Sequence, residues 1–195
     1  MYSTRFLYAI AAGVILFCSM FGCSSVDSVH PLGDVPTAEV LKKINIEGTW
    51  LMDDQAIQIK QLEAGKLKIA GMEWKEDHFE VNELDGQLRV DDELHYLNLI
   101  IKDEKTGKQS FAFLRLLKVD DEYLVFCAAD AHEFEKAIAA GDLEGTVKQE
   151  HRTINVTLTS TTEQINAYVT PERANTLFSV DEPGVLRRLR QPEKK

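Results

Sequence analysis

The sequence predicts a mainly β fold with a minority of helix: an antiparallel meander that closes into a small barrel and carries two capped helices in its C-terminal half. Three observations lead there. Short apolar or alternating segments recur from Thr49 to Ala128. The turn residues between them leave connections far too short for a parallel return, so neighbouring strands run antiparallel. About ten strands in one modest domain must also hide their unpaired edges, and closing the sheet does so completely.

The chain opens with Arg5, the one charge before an uncharged run from Phe6 to Ser25, and a positive start followed by an apolar stretch is how secretory signal peptides are built. The competing reading is an uncleaved anchor. Phe6 to Gly22 counts 17 residues, at the lower edge of a membrane span. At Met20-Phe21-Gly22-Cys23 the sequence resembles the lipobox of bacterial lipoproteins, in which a small residue precedes a cysteine that is acylated and becomes the mature N-terminus. Gly22 and Cys23 match that pattern, whereas Met20 and Phe21 stand where the family usually has Leu and a smaller residue. The resemblance implies a signal peptide over 1–22, lipidation at Cys23 and anchoring to a membrane through acyl chains. Ser24 resembles the residue that sorts Gram-negative lipoproteins to the periplasmic face of the outer membrane.

Cysteine usage fits this reading. Of Cys18, Cys23 and Cys127, cleavage discards the first and acylation uses the second. Cys127 then sits alone in the apolar segment Leu124 to Ala129, where a thiol behaves as a small buried hydrophobe rather than a nucleophile.

Residues 23–36 read as the lipidated N-terminus and a flexible tether, since Ser24 to Pro36 is rich in Ser, Pro and Gly with little periodicity. A single domain is expected over 37–190, with a short tail at 191–195. Thr37 caps a short helix that presents Val40, Leu41 and Ile44. Strands follow at Thr49 to Met52, Ala56 to Gln61, Leu67 to Met72, His78 to Leu84, Gln87 to Val90, Leu94 to Lys102, Ser110 to Lys118 and Tyr123 to Ala128. Ala64-Gly65-Lys66, Leu84-Asp85-Gly86, Thr106-Gly107-Lys108 and Val119-Asp120-Asp121 supply turn chemistry between them. Asp130 with Glu133 opens a helix that Gly141 stops, and Ser160 with Glu163 opens another that runs to Pro171. Between them Thr146 to Lys148 and Ile154 to Leu158 form a hairpin. A turn of helix over Pro171 to Leu177 precedes a final strand, Val185 to Leu189.

Gly48-Thr49-Trp50 on the first strand resembles the Gly-x-Trp signature of the lipocalin and calycin families, in which the Trp packs at the barrel base beneath an Arg from the closing strand. The resemblance implies a lipocalin-like barrel and a structural pair of Trp50 with Arg188. An Arg over an indole face stabilises by about 0.5–2 kcal/mol. The alternative is that Arg187 and Arg188 lie on a solvated, mixed face. The pattern from Asp130 through Leu189 also resembles one seen in bacterial envelope proteins of uncharacterised activity.

Chemistry is harder to find. His30, His78, His95, His132 and His151 are scattered without metal-ligand spacing, so no metal site and no cofactor is expected. Asp53-Asp54, Asp91-Asp92-Glu93 and Asp120-Asp121-Glu122 fall between strands and read as hairpin turns rather than calcium loops. No nucleophile elbow or phosphate-binding loop appears, and no catalytic residue is predicted. A formal charge of -10 repels nucleic acid. Glu73 to Glu93 holds nine acids and two bases, which reads as a solvated face or a surface for a basic partner. The expectation is an envelope lipoprotein that binds a lipid or other hydrophobic small molecule in its lumen without catalysis; the alternative is a structural lipoprotein docking on another envelope protein.

Overall fold

The computed structural model describes residues 24–189 apart from 54, 76, 92, 104, 105 and 152. Its elements in chain order are β1 (Ser25–Ser28), α1 (Ala38–Lys43), β2 (Gly48–Met52), β3 (Gln55–Gln61), β4 (Lys66–Lys75), β5 (His78–Asp91), β6 (Leu94–Lys102), β7 (Gln109–Val119) and β8 (Tyr123–Ala128). After these come α2 (Ala131–Ala140), β9 (Gly145–Glu150), β10 (Thr153–Leu158), α3 (Thr162–Tyr168), α4 (Pro171–Leu177) and β11 (Gly184–Arg188).

Strands β2 to β8 form the meander, and β11 closes it by pairing antiparallel with both β8 and β2. The result is a closed barrel of eight antiparallel strands with no open edge between the first and the last. The period of two along each strand then sorts side chains to two sides. Trp50, Ile57, Ile69, Leu88, Leu97, Leu114, Phe126 and Leu186 come from all eight barrel strands and belong to one buried cluster, which identifies the interior.

A second apolar cluster lies on the opposite face of β6, β7 and β8. Tyr96, Phe113 and Cys127 alternate with the interior residues and meet Phe134 of α2, Ile165 of α3, Ala174 of α4 and Phe178. Phe113 packs edge-on against Phe134 with ring centres 5.7 Å apart. The insertion between β8 and β11 therefore builds its own core on the barrel wall.

Two expectations need correction. Leu84-Asp85-Gly86 is not a turn, because β5 runs unbroken through it. Asp85 faces outward between two lysines, pairing with Lys68 of β4 and with Lys102 of β6 at 2.9 Å. Gly86 faces inward, where a Cβ would lie 3.2 Å from the Ile69 side chain, so the small residue serves packing and not a reversal. The second correction concerns the tether. Ser25–Ser28 is a strand inserted between β7, which it meets antiparallel, and β10, which it meets in parallel. Val26, Ser28 and Leu32 are buried. Asn98 on the outer face of β6 holds the following segment, accepting from the Leu32 N–H at 2.8 Å and donating to its carbonyl at 3.0 Å.

Helix signals are read nearly in place. Asp130 caps α2 by accepting from the N–H groups of His132 and Glu133, and Gly141 ends it with φ +80°. The capping box of α3 lies one residue beyond its expected place, formed by Thr161 with Gln164. Ser160 is instead buried and accepts from the Glu144 N–H at 2.7 Å. Pro171 begins α4, a full helix rather than a single turn.

Candidate functional site

The barrel end where β2 begins and β11 finishes is closed by one polar constellation in an apolar setting. The Arg188 guanidinium lies over the Trp50 ring at 4.2 Å from its centre. It also donates to the carbonyls of Glu47 at 2.5 Å and Asn45 at 2.7 Å. Trp50 is fully buried and its indole N–H donates to the Ile46 carbonyl at 2.9 Å. Gly48 has φ +148°, and a Cβ there would sit 2.8 Å from Nη1 of Arg188. The missing side chain is thus what lets the guanidinium reach both carbonyls. Arg187, one residue earlier, is exposed and makes no part of this arrangement.

Among the described residues, the middle of the barrel is packed with apolar side chains. Sixteen buried apolar residues pack there, from Ile44 and Ile46 beneath α1 to Met52 near the other end, and the half-buried Leu84, Val90, Ala112, Val119 and Ala128 lie against them. A ligand-bearing lumen would leave such side chains accessible. A hollow lies at one end of that core, between α1 and the end of β7, with the core residues Ile44 and Leu116 in its wall. It measures about 370 Å³ and is lined by Val40, Lys43, Ile44, His95, Leu116 and Lys118, among others. Burial pushes the His95 imidazole below its ordinary pKa, which favours its neutral form.

The remaining singled-out residues stay apart. Cys23 lies outside the described residues. Cys127 is fully buried, with its Sγ 3.8 Å from the Arg115 carbonyl, and desolvation raises its pKa to about 11. At neutral pH that thiol carries almost no thiolate. His132 sits in the first turn of α2 with its N–H on the Asp130 carboxylate. Among the described residues no three His, Cys, Asp or Glu side chains converge as metal ligands would. Asp120 is a turn residue: Lys118 and the N–H groups of Tyr123 and Glu122 hydrogen-bond its carboxylate and hold its pKa down to about 2.

One surface stands out that the alternation of residues signals but that carries no motif. Pairing of β3 with β4 ends at Ala56 with Met72, and pairing of β5 with β6 begins at Asp85 with Ile100. Between those limits β4 and β5 continue as a two-stranded ribbon beyond the barrel rim, at the end opposite Arg188. Met72, Trp74, Phe79 and Val81 share one face of it and are 42–59% exposed. Trp74 and Phe79 are cross-strand partners, stacked edge-on at 4.7 Å.

Comparison of the chain with family models, curated proteins and solved structures finds no match. The functional reading accordingly rests on the chain's own geometry.

Proposed function

We propose that the chain is an envelope lipoprotein, acylated at Cys23, that works without catalysis as a solid-cored scaffold docking on another envelope protein. The observation that carries this choice is the filled barrel. A lipid or hydrophobic small molecule held in the lumen would have to displace the sixteen apolar residues that pack it. What the barrel has to offer is surface, and the exposed apolar ribbon is its most distinctive part.

The lipid anchor is supported by the sequence alone, from Arg5 through the apolar run to Cys23. On this reading the anchor stands close to the folded body, since Ser24 accepts from the Ile154 N–H at 3.1 Å. The periplasmic face of the outer membrane is the proposed address in a Gram-negative host.

Two measurements test the proposal together. Mass spectrometry of the N-terminal peptide should find an acylated cysteine at position 23, and Met1 retained with a free thiol there would refute the anchor. Photocrosslinking in intact cells from several surface positions should capture one dominant envelope protein. A chain that stays uncaptured from every position, and that co-purifies with a stoichiometric lipid, would return the function to small-molecule binding.

A further inference from the structure

We propose that the free edge of β5 from His78 to Leu84 is a docking site for an extended segment of a protein partner, one that carries both apolar and basic residues. This rests on the docking reading above and names the chemistry that it would recognise. Within the barrel every strand has a neighbour on both sides, which removes the unpaired backbone that invites further pairing. Among the barrel strands the ribbon is the exception; β9, outside the barrel, likewise pairs with β10 alone among the described residues. Over residues 78–84, β5 pairs with β4 and with no other strand among the described residues. A run of that length offers N–H and C=O groups to an added strand.

Side chains specify what is added. On one face Phe79 and Val81 are exposed beside their partners Trp74 and Met72, a surface that an apolar side chain on the incoming strand would cover. Glu83 is exposed on the same side as Phe79 and Val81, which sets an acid beside those apolar side chains. The sequence from 71 to 84 carries five acids against one lysine. The partner strand therefore needs apolar residues to meet Phe79 and Val81 and a basic residue to meet Glu83.

The same charge argues against the other occupants. An anionic membrane surface would repel the ribbon. A second copy of this chain pairing edge to edge would bring like charges together across the new ladder. A basic partner strand gains on both counts.

The test uses the full chain in mild detergent and a capped peptide of valine and lysine residues long enough to span residues 78–84. Titration should give saturable binding with a blue shift of tryptophan emission, and amide hydrogen exchange should slow within 78–84. A Phe79→Ser/Val81→Ser double variant, which keeps Trp74 as the reporter, and a Glu83→Lys variant, all at positions outside the two cores, should each weaken binding roughly tenfold or more. Equal affinity for the valine and glutamate counterpart, protection elsewhere in the chain, or unchanged binding by both variants would overturn the proposal. So would preferential binding of the ribbon to anionic phospholipid vesicles. Photocrosslinkers at position 79 and at Leu117, near the other barrel end, separate the two levels. Capture from Leu117 alone preserves the docking function and removes the ribbon from it, whereas capture from neither position and no peptide binding removes both.

Discussion

Arg188 occupies the space that a side chain on Gly48 would need: a Cβ at position 48 would stand 2.8 Å from Nη1 of the guanidinium. The glycine, the tryptophan two residues on and the arginine of the closing strand are therefore one structural unit. Its role is to lock the first strand of the barrel to the last, where the register places Trp50 opposite Arg188. Replacing Arg188 by Ala should destabilise the fold by about 2–4 kcal/mol, combining a cation–π contact with charge-assisted hydrogen bonds to two carbonyls. Arg188→Lys should recover less than half of that, because an ammonium lacks the planar fork that reaches both oxygens. Gly48→Ala should cost about 1–3 kcal/mol through its backbone conformation alone. Urea unfolding midpoints measure all three, and an Arg188→Ala variant as stable as the parent would show that the unit does not hold the barrel shut.

Asn98 gives a second test, directed at the N-terminal segment. Its side chain satisfies both backbone groups of Leu32 in a buried setting. Asn98→Ala leaves those groups unpaired, at a cost of about 2–4 kcal/mol. Hydrogen exchange should quicken first at residues 29–34, ahead of global unfolding, because that segment loses its one buried polar fastening to β6.

The acid limb of the stability curve should depend on Asp85. Hydrogen bonds from Lys68 and then Lys102 hold its carboxyl below the usual 3.8. A depressed folded-state pKa means that the stabilisation is present above pH 3.8, where the unfolded carboxyl is also ionised, and is lost as the pH falls through the lower folded value. Asp85→Asn should therefore lower stability at neutral pH by about 0.5–1 kcal/mol, a modest figure because the pairs are partly hydrated. The difference between variant and parent should shrink below about pH 4, as denaturant titrations at stepped pH would reveal.

Cys127 should resist alkylation in the native protein at pH 7 to 8 and react at once when the chain is unfolded in urea, as read by peptide mapping. Burial raises its pKa to about 11 and the neighbouring core excludes reagent. Rapid labelling of the folded chain at this position would mean that the outer core opens readily.

What the sequence makes legible follows the range of the interactions concerned. The meander shows because each hairpin is local: a period of two ends at a turn residue and begins again. Asp130 and Gly141 mark α2 because caps are satisfied within a few residues. The misreadings share the opposite property. Leu84-Asp85-Gly86 has the composition of a turn, yet Lys68 and Lys102 on the flanking strands and Ile69 across the interior fix it as strand. Ser25 to Ser28 has too few residues to display periodicity, and its partners on β7 and β10 lie far along the chain. The packed interior was not legible either, since strand number alone is compatible with a filled or a hollow barrel of this size. The ribbon was half visible. Met72, Trp74, Phe79 and Val81 alternate with charges as strand residues do, but only the register reveals that barrel strands stop short of them.

The position of β1 bears on how the molecule is made. Ser25 bonds to Asn155 across a separation of 130 residues, and Val26 joins a core whose other walls, Leu32 apart, come from residues beyond 90. The first strand of the described residues thus depends on partners far along the chain. Until β10 has formed, that leading strand has only β7 to join, and contacts of such long range close slowly. The seat of β1 is therefore complete only when strands made long after it, β7 and β10, stand on either side.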